Sequence, residues 1–144
     1  MAKLTLSDAQ KILDGAIAKA EELGLMPLTI AVLDDGGHLK AFARQDGPGA
    51  ALRPRIAIGK AWGSVGMGIS SRILEERAID RPHFIVGAIA ALEGRMVPVA
   101  GGVLIRDGSG EIIGAVGISG DSSDNDEASA IAGIEAAGFK TDAK

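Results

Sequence analysis

The two histidines of this chain are the side chains best suited to moving a proton or binding a metal near neutral pH. His38 follows Gly36 and Gly37, and glycines at that place let a ligand approach the backbone closely. His83 follows Pro82 at a predicted helix start. An imidazole at either place can ligate haem iron or act as an acid or base. Each also fits a plain structural role, an exposed turn for His38 and a helix cap for His83.

Arg44, Asp46 and Lys60 form a second set of polar candidates. Arg44 ends a predicted strand, Asp46 begins a glycine-rich loop, and Lys60 lies on an otherwise apolar helix. A lysine on such a face is costly unless it is paired or lines a pocket. Two interpretations stay open at this point. Either the set binds an anion or transfers a proton, with Arg44 and Lys60 holding a carboxylate, or Asp46 forms a structural ion pair with one of the two cations.

A glycine pair and an acidic cluster complete the candidates. Gly101 and Gly102 can present backbone amides to a ligand, or they can mark a bulge between strands. The acids near the last predicted helix can hold Ca²⁺ or Mg²⁺ through oxygens, or they can serve as helix caps. These acids are Asp121, Asp124, Asp126 and Glu127.

Hydrophobic periodicity and turn residues predict the elements that must position these side chains. The first helix begins at the capping-box spacing of Ser7 and Gln10 and ends at Gly24. The predicted strands are Leu28–Leu33, His38–Arg44, Val97–Arg106 (broken at Gly101-Gly102) and Ile112–Ser119. The later helices are Ile56 to about Val65, Ser70 or Ser71 to Ala78, His83–Leu92, and one from Asp124 to Gly138. Hairpins in place of long crossovers predict the α+β class, with an antiparallel sheet flanked by helices in one domain over 1–144.

Composition narrows the function classes. The chain has no cysteine, which excludes disulfides, iron–sulfur clusters and thiolate zinc sites. A net charge of −4 and an aromatic content of 3% argue against a nucleic-acid partner. The first residues lack the apolar core of a signal peptide, and no stretch approaches the roughly 20 apolar residues that cross a bilayer. We therefore expect a cytoplasmic protein without a membrane partner.

Several segments resemble the GlcG/HbpS-like family, which includes haem-binding proteins and the C-terminal domain of some PduO-type corrinoid adenosyltransferases. The similar segments are Thr29–Asp34, Gly36–Leu39, Phe42–Gly47, Val99–Gly102, Gly114–Gly120 and Asp126-Glu127. The resemblance implies a profilin-like fold with a sheet of about five strands. It also implies a homo-oligomer, in which dimers assemble into rings or octamers.

The resemblance and the candidates together predict a small-molecule-binding protein whose ligand is haem or a related tetrapyrrole. We expect an apolar pocket between the sheet and the helices that carry Lys60 and His83. Iron would be ligated by His38 or His83. The expected ligand-binding residues are His38, Arg44, Asp46, Lys60, His83, Gly101 and Gly102.

An alternative stays open: a small catabolic enzyme, either an isomerase, a lyase or a hydratase, that acts on a small carboxylate. Arg44 or Lys60 would anchor that substrate, and the catalytic candidates are His38, Asp46 and Lys60. A third alternative is an oligomer with a structural or regulatory role and no ligand.

Overall fold

The computed structural model describes residues 3–141, which form five helices around four strands. The helices are α1 (Leu6–Leu23), α2 (Arg53–Met67), α3 (Ser71–Asp80), α4 (Pro82–Ala91) and α5 (Ser123–Ala136). The strands are β1 (Thr29–Asp34), β2 (Leu39–Arg44), β3 (Gly102–Arg106) and β4 (Ile112–Ser119). None of the helices within this range has the length and apolarity that a bilayer crossing requires.

The four strands form one antiparallel sheet in the order β2-β1-β4-β3. This arrangement confirms the predicted α+β class with an antiparallel sheet. The expected count of about five strands is corrected to four in residues 3–141, because the predicted run from Val97 joins the ladder only at Gly102. Pro98 has no N–H to offer a ladder, and the amide of Val97 donates to the carbonyl of Gly59 on α2.

Helices cover both faces of the sheet, so its central strands are buried on both sides. Helices α1 and α5 pack on one face, where Ile30, Val32 and Val116 form part of the larger core cluster. Helix α2 packs on the other face against Leu33 and Leu104. This two-sided burial explains why β1 appears in the sequence as a continuous apolar run rather than as an alternating one.

Small residues bring α2 unusually close to the sheet. A Cβ atom at Gly117 on β4 would collide with the backbone carbonyl of Ala57, and one at Gly102 with the carbonyl of Lys60. Only glycine therefore fits beneath the helix at these two positions. Part of the high glycine content of the chain follows from this tight packing.

The predicted N-caps of two helices differ from those in the structure. Helix α1 is capped by Thr5, whose side chain and that of Asp8 form the reciprocal capping box, and not by Ser7 with Gln10. Helix α5 is capped by Ser122 and not by Asp124. In both places several capping residues stand close together in the sequence, and the chain uses the earlier one.

Candidate functional site

Lys60 is buried in the centre of the structure and forms an ion pair. Its Nζ donates to the carbonyl of Ile118 at 2.8 Å and lies 3.2 Å from Oδ2 of Asp126 on α5. The side chains of Lys60 and Asp126 are 4% and 2% exposed. The pair therefore links α2 to α5, two helices that cover opposite faces of the sheet.

The carboxylate of Asp126 is held on both of its oxygens. Oδ1 accepts from the amide of Asp121 at 2.9 Å, while Oδ2 faces the Lys60 ammonium. Burial raises the pKa of Asp126, and the charge of Lys60 and these hydrogen bonds offset only part of that effect. The sequence suggested a metal-binding or a capping role for the acids of this cluster, and the role of Asp126 as the partner of Lys60 was missed.

Gly101 and Gly102 leave space for Lys60. Gly101 has a φ of +125°, and a Cβ there would lie 2.8 Å from the Nζ of Lys60. Gly102 pairs with Gly117, and its own amide donates to the hydroxyl of Ser71 at 2.6 Å. The register shift of this ladder lies between Ile105 and Arg106, so the interpretation of the glycine pair as a bulge is wrong.

Two further acids of the cluster, Asp124 and Glu127, form ion pairs with Arg72. Arg72 on α3 donates to both oxygens of Glu127 at 3.0 and 2.9 Å and to Asp124 at 2.6 Å. These bonds raise the pKa of Arg72 and tie α3 to the start of α5. Within residues 3–141 no group of three or more acids and histidines has the geometry to hold a metal ion.

Arg44 and Asp46 do not share the buried environment of Lys60. Both are exposed, at the end of β2 and in the loop that follows it. Among the described residues, no ion pair joins Asp46 to Arg44 or to Lys60, so the interpretation of this set as a structural ion pair of Asp46 is wrong. The expectation that Lys60 needs a partner is correct, and Asp126 is that partner.

His38 is displayed at the turn between β1 and β2. Its Nδ1 lies 3.2 Å from Oδ1 of Asp34, and its side chain is 81% exposed. Burial raises the pKa of Asp34, but hydrogen bonds from His38 and Gly36 and the charge of His38 outweigh it, so the pKa is lowered. A carboxylate on one ring nitrogen fixes the orientation of an imidazole and leaves the other nitrogen for a metal.

The structure separates the predicted site residues. His83 lies exposed near the start of α4, a helix that packs on α3 beside the β3 edge of the sheet. His38 and Arg44 flank β2 at the opposite edge, and they stand about 20 Å apart along that strand. The two histidines therefore lie at opposite edges of the sheet.

An apolar cleft lies along the N-terminal half of α2, and we call it the α2 cleft. Its volume is about 330 Å³. Apolar side chains and glycines form its walls, two arginines are its charged members, and no acid lines it. The lining residues are Leu52, Arg55, Ile56, Ile58, Gly59, Gly94, Arg95 and Val97.

Two smaller clefts border the same helix. One, of about 190 Å³, lies between the β1–β2 turn and the C-terminal half of α2, and we call it the tryptophan cleft. Trp62, Gly36 and Gly37 are among its lining residues. The other, of about 50 Å³, lies beneath the loop before α2. Arg95 stacks on Trp62, with its guanidinium carbon 5.2 Å from the ring centroid, and so stands between the α2 cleft and the tryptophan cleft.

Sequence comparison decides the family. The family model described as haem degrading protein HbpS-like matches residues 4–135. The chain belongs to this family. The resemblance seen in the sequence is thereby confirmed. No curated protein matches the chain.

Solved structures share the fold over nearly the whole chain. A PduOC:heme complex superposes with a TM-score of 0.85 at 26% identity, covering 97% of this chain and 99% of that one. A double mutant of Streptomyces reticuli HbpS gives a TM-score of 0.79 at 27% identity, with coverages of 94% and 87%. Klebsiella pneumoniae protein ORFY, at 22% identity, has a TM-score of 0.84 and coverages of 96% and 93%, and shows the fold.

The α2 cleft was missed by sequence reasoning, although a signal for it was present. Leu52, Ile56 and Gly59 recur at the i, i+4, i+7 spacing of one helix face, and Arg55 lies on the same face. The predicted helix began at Ile56, three residues after its true start at Arg53. Leu52 and Arg55 therefore lay outside the predicted helix. The opposite wall, residues 94–97, follows α4 without regular structure and has no pattern that a sequence can reveal.

The buried ion pair gives a direct test of this part of the structure. Asp126→Asn leaves the Lys60 ammonium buried opposite a neutral amide, so we expect the free energy of unfolding to fall by about 3–5 kcal/mol. Lys60→Met should cost a similar amount by stranding the carboxylate. Urea denaturation followed by the fluorescence of Trp62, the sole tryptophan, measures both changes.

The double variant Lys60→Met/Asp126→Leu should lose much less than the sum of the single losses, because it removes both charges. Lys19→Met is the matched control, since Lys19 pairs with Glu22 at 3.1 Å on the exposed side of α1 and should cost less than about 1 kcal/mol. Additive losses in the double variant would show that the two charges do not depend on each other.

Proposed function

We propose that this protein binds haem, with the macrocycle in the α2 cleft and the propionates on Arg55 and Arg95. The observation that carries the proposal is the cleft itself, an apolar slot with two unopposed arginines in its lining. Its volume of about 330 Å³ falls at the lower end of the range of small-molecule sites. An open cleft of this size accommodates part of a macrocycle and leaves its charged edge in water.

The two arginines suit a ligand with two carboxylates. The guanidinium group is planar and pairs with a carboxylate through two parallel hydrogen bonds. Arg55 lies in the first turn of α2, and Arg95 is held against Trp62 by a cation–π contact. The chain as a whole carries a net charge of −4, so two cations at an apolar cleft without an acid are a local exception that favours an anionic ligand.

The family supports haem over other apolar anions. The chain belongs to the haem degrading protein HbpS-like family, and its similarity to the protein of the PduOC:heme complex extends over 97% of the chain. Bound haem would bring a redox-active iron to the protein. The residues of this chain would bind and orient the macrocycle and shield one of its faces from water.

The cleft fits part of the macrocycle and its propionates, but its lining holds no ligand for iron. None of its eight lining residues is a histidine, methionine or cysteine. Gly37, the neighbour of His38, lies against Trp62, which is about 10 Å further along the axis of α2 than Arg55. We therefore assign His38 of a second copy of this chain as the iron ligand, because its ring is oriented by Asp34 and exposed to other molecules.

A homo-oligomer is part of this proposal. Several apolar side chains on α3 and α4 are exposed: Ile79 is 79%, Val86 is 67% and Phe84 is 38% exposed. Helix α4 is apolar almost all round, yet Ile85 is its one buried residue. A surface of this kind favours contact with another copy of the chain.

Haemin titration of the purified protein tests the cleft. We expect saturable quenching of Trp62 fluorescence together with a Soret shift. Arg55→Gln and Arg95→Gln should each weaken haemin binding about tenfold, because each removes one charge-assisted pair with a propionate.

Arg77→Gln is the control, since Arg77 is exposed on α3 and lines none of the three clefts. Equal haemin affinity in the unmodified protein and in all three variants would remove the α2 cleft from the proposal. A similar loss in the control would mean that haemin responds only to the net charge of the protein.

Comparison of haemin with metal-free protoporphyrin tests the iron ligand. His38→Ala should weaken the binding of haemin and alter its Soret band, while the binding of protoporphyrin stays unchanged. Asp34→Asn should produce a smaller change in the same direction, because it frees the ring without removing it. The oligomer size of each variant, measured by light scattering, shows whether assembly is intact.

His83→Ala is the parallel variant. A spectral change in His83→Ala with none in His38→Ala would transfer the ligand role to His83. Unchanged spectra in both variants would mean that neither histidine ligates the iron.

A further inference from the structure

We propose a second binding site in this protein, for a small oxyanion such as a carboxylate or a phosphate group. It lies in the cleft of about 50 Å³ beneath the loop before α2, which we call the arginine pocket. Its lining residues are Pro27, Thr29, Arg44, Gln45, Gly47, Pro48, Gly49, Ala50, Ala51 and Arg53. The site is independent of the proposed haem cleft and takes a different class of ligand.

The pocket is too small to enclose a macrocycle. A cleft of about 50 Å³ suits a group of a few heavy atoms. The pocket is mainly polar at its surface, and its opening allows a larger molecule to insert one end. A carboxylate or phosphate at the end of a small molecule has the appropriate dimensions.

Two guanidinium groups converge on this pocket from different elements. Arg53 begins α2, and its Nη1 donates to the carbonyl of Pro27 at 3.0 Å, which fixes the side chain against the strand side of the pocket. Arg44 ends β2, and within residues 3–141 its guanidinium has no hydrogen-bond or ion-pair partner. One cation is thus held in place while the other stays available for a ligand.

Backbone donors line the same pocket. In the described structure, the amides of Gly47, Gly49, Ala50 and Ala51 donate no hydrogen bond to protein. Leu52, the N-cap of α2, offers no side-chain bond to the first turn of the helix. Unpaired amides beside a helix N-terminus add partial positive charge to that of the two arginines.

The nearby acids do not cancel this charge. Asp121 is close enough to Arg53 for the two charges to interact, but it does not line the pocket. A hydrogen bond from Asn125, the amides of Met26 and Ser122, and the Arg53 charge lower its pKa. Its carboxylate is thus occupied elsewhere, and none of the lining residues carries a carboxylate that could pair with Arg44.

The lining also limits what the site can do. It contains no carboxylate, imidazole or thiol, and Asp46, although adjacent in sequence, is not part of it. The pocket therefore has no acid or base with which to transform its ligand near neutral pH. The structure assigns it to recognition of the anionic end of a small molecule and not to catalysis.

A ¹H–¹⁵N NMR titration at constant ionic strength, balanced with sodium chloride, tests this site. Sodium acetate and sodium phosphate are added in separate experiments, so that the two classes of oxyanion are distinguished. We expect saturable shifts of the amides of residues 47–53 with at least one of the two anions. Arg44→Gln should weaken that binding about tenfold, because it removes the cation that lacks a partner.

Lys40→Gln is the matched control, since Lys40 carries the same charge on the same strand and does not line the pocket. Arg53→Gln, which also breaks the bond to Pro27, is interpreted only after its thermal unfolding shows a native fold. Shifts that are absent with both anions, or an equal loss in Lys40→Gln, would overturn the proposal. Unchanged haemin binding in Arg44→Gln would separate this site from the haem cleft.

Discussion

The buried pair of Lys60 and Asp126 is the interaction on which the arrangement of the helices depends. An ammonium group removed from water needs both a counter-charge and hydrogen-bond acceptors, and here a carboxylate and the carbonyl of Ile118 provide them. The side chain reaches these partners because Gly101 leaves room for its passage. One polar contact thereby sets the position of α2 against the sheet and of α5 on the far side.

The clefts are a consequence of this close packing. Since α2 lies directly on β4, its inner face is filled by backbone and small residues, and its outer face is left for other contacts. The segment after α4 covers only part of that outer face. Leu52, Arg55 and Ile56 therefore meet residues 94–97 across an open apolar slot. The same rigid helix positions Arg53 at the arginine pocket and Trp62 beneath Arg95.

Local patterns were enough to predict the fold but not the site. The hairpins and the antiparallel sheet followed from turn residues and apolar runs, because these signals depend on neighbours in the sequence. The family followed from the resemblance of several segments to known members. Asp126, the partner of Lys60, lies 66 positions further along the chain, and no local pattern connects the two residues. The walls of the α2 cleft likewise come from segments about 40 residues apart. Whether Arg44 lies near Asp46 or near Arg53 depends on how the loop between β2 and α2 folds.

Paramagnetic broadening by haemin tests the central claim, the location of the tetrapyrrole, most directly. Amide signals of the ¹⁵N-labelled protein are compared with haemin bound and with the diamagnetic gallium protoporphyrin bound. We predict that signals of residues 52–59 and 94–97 disappear only with haemin, because electron spin relaxes nearby nuclei. Broadening centred on the start of α4 or on the arginine pocket, with the α2 cleft unaffected, would contradict the account.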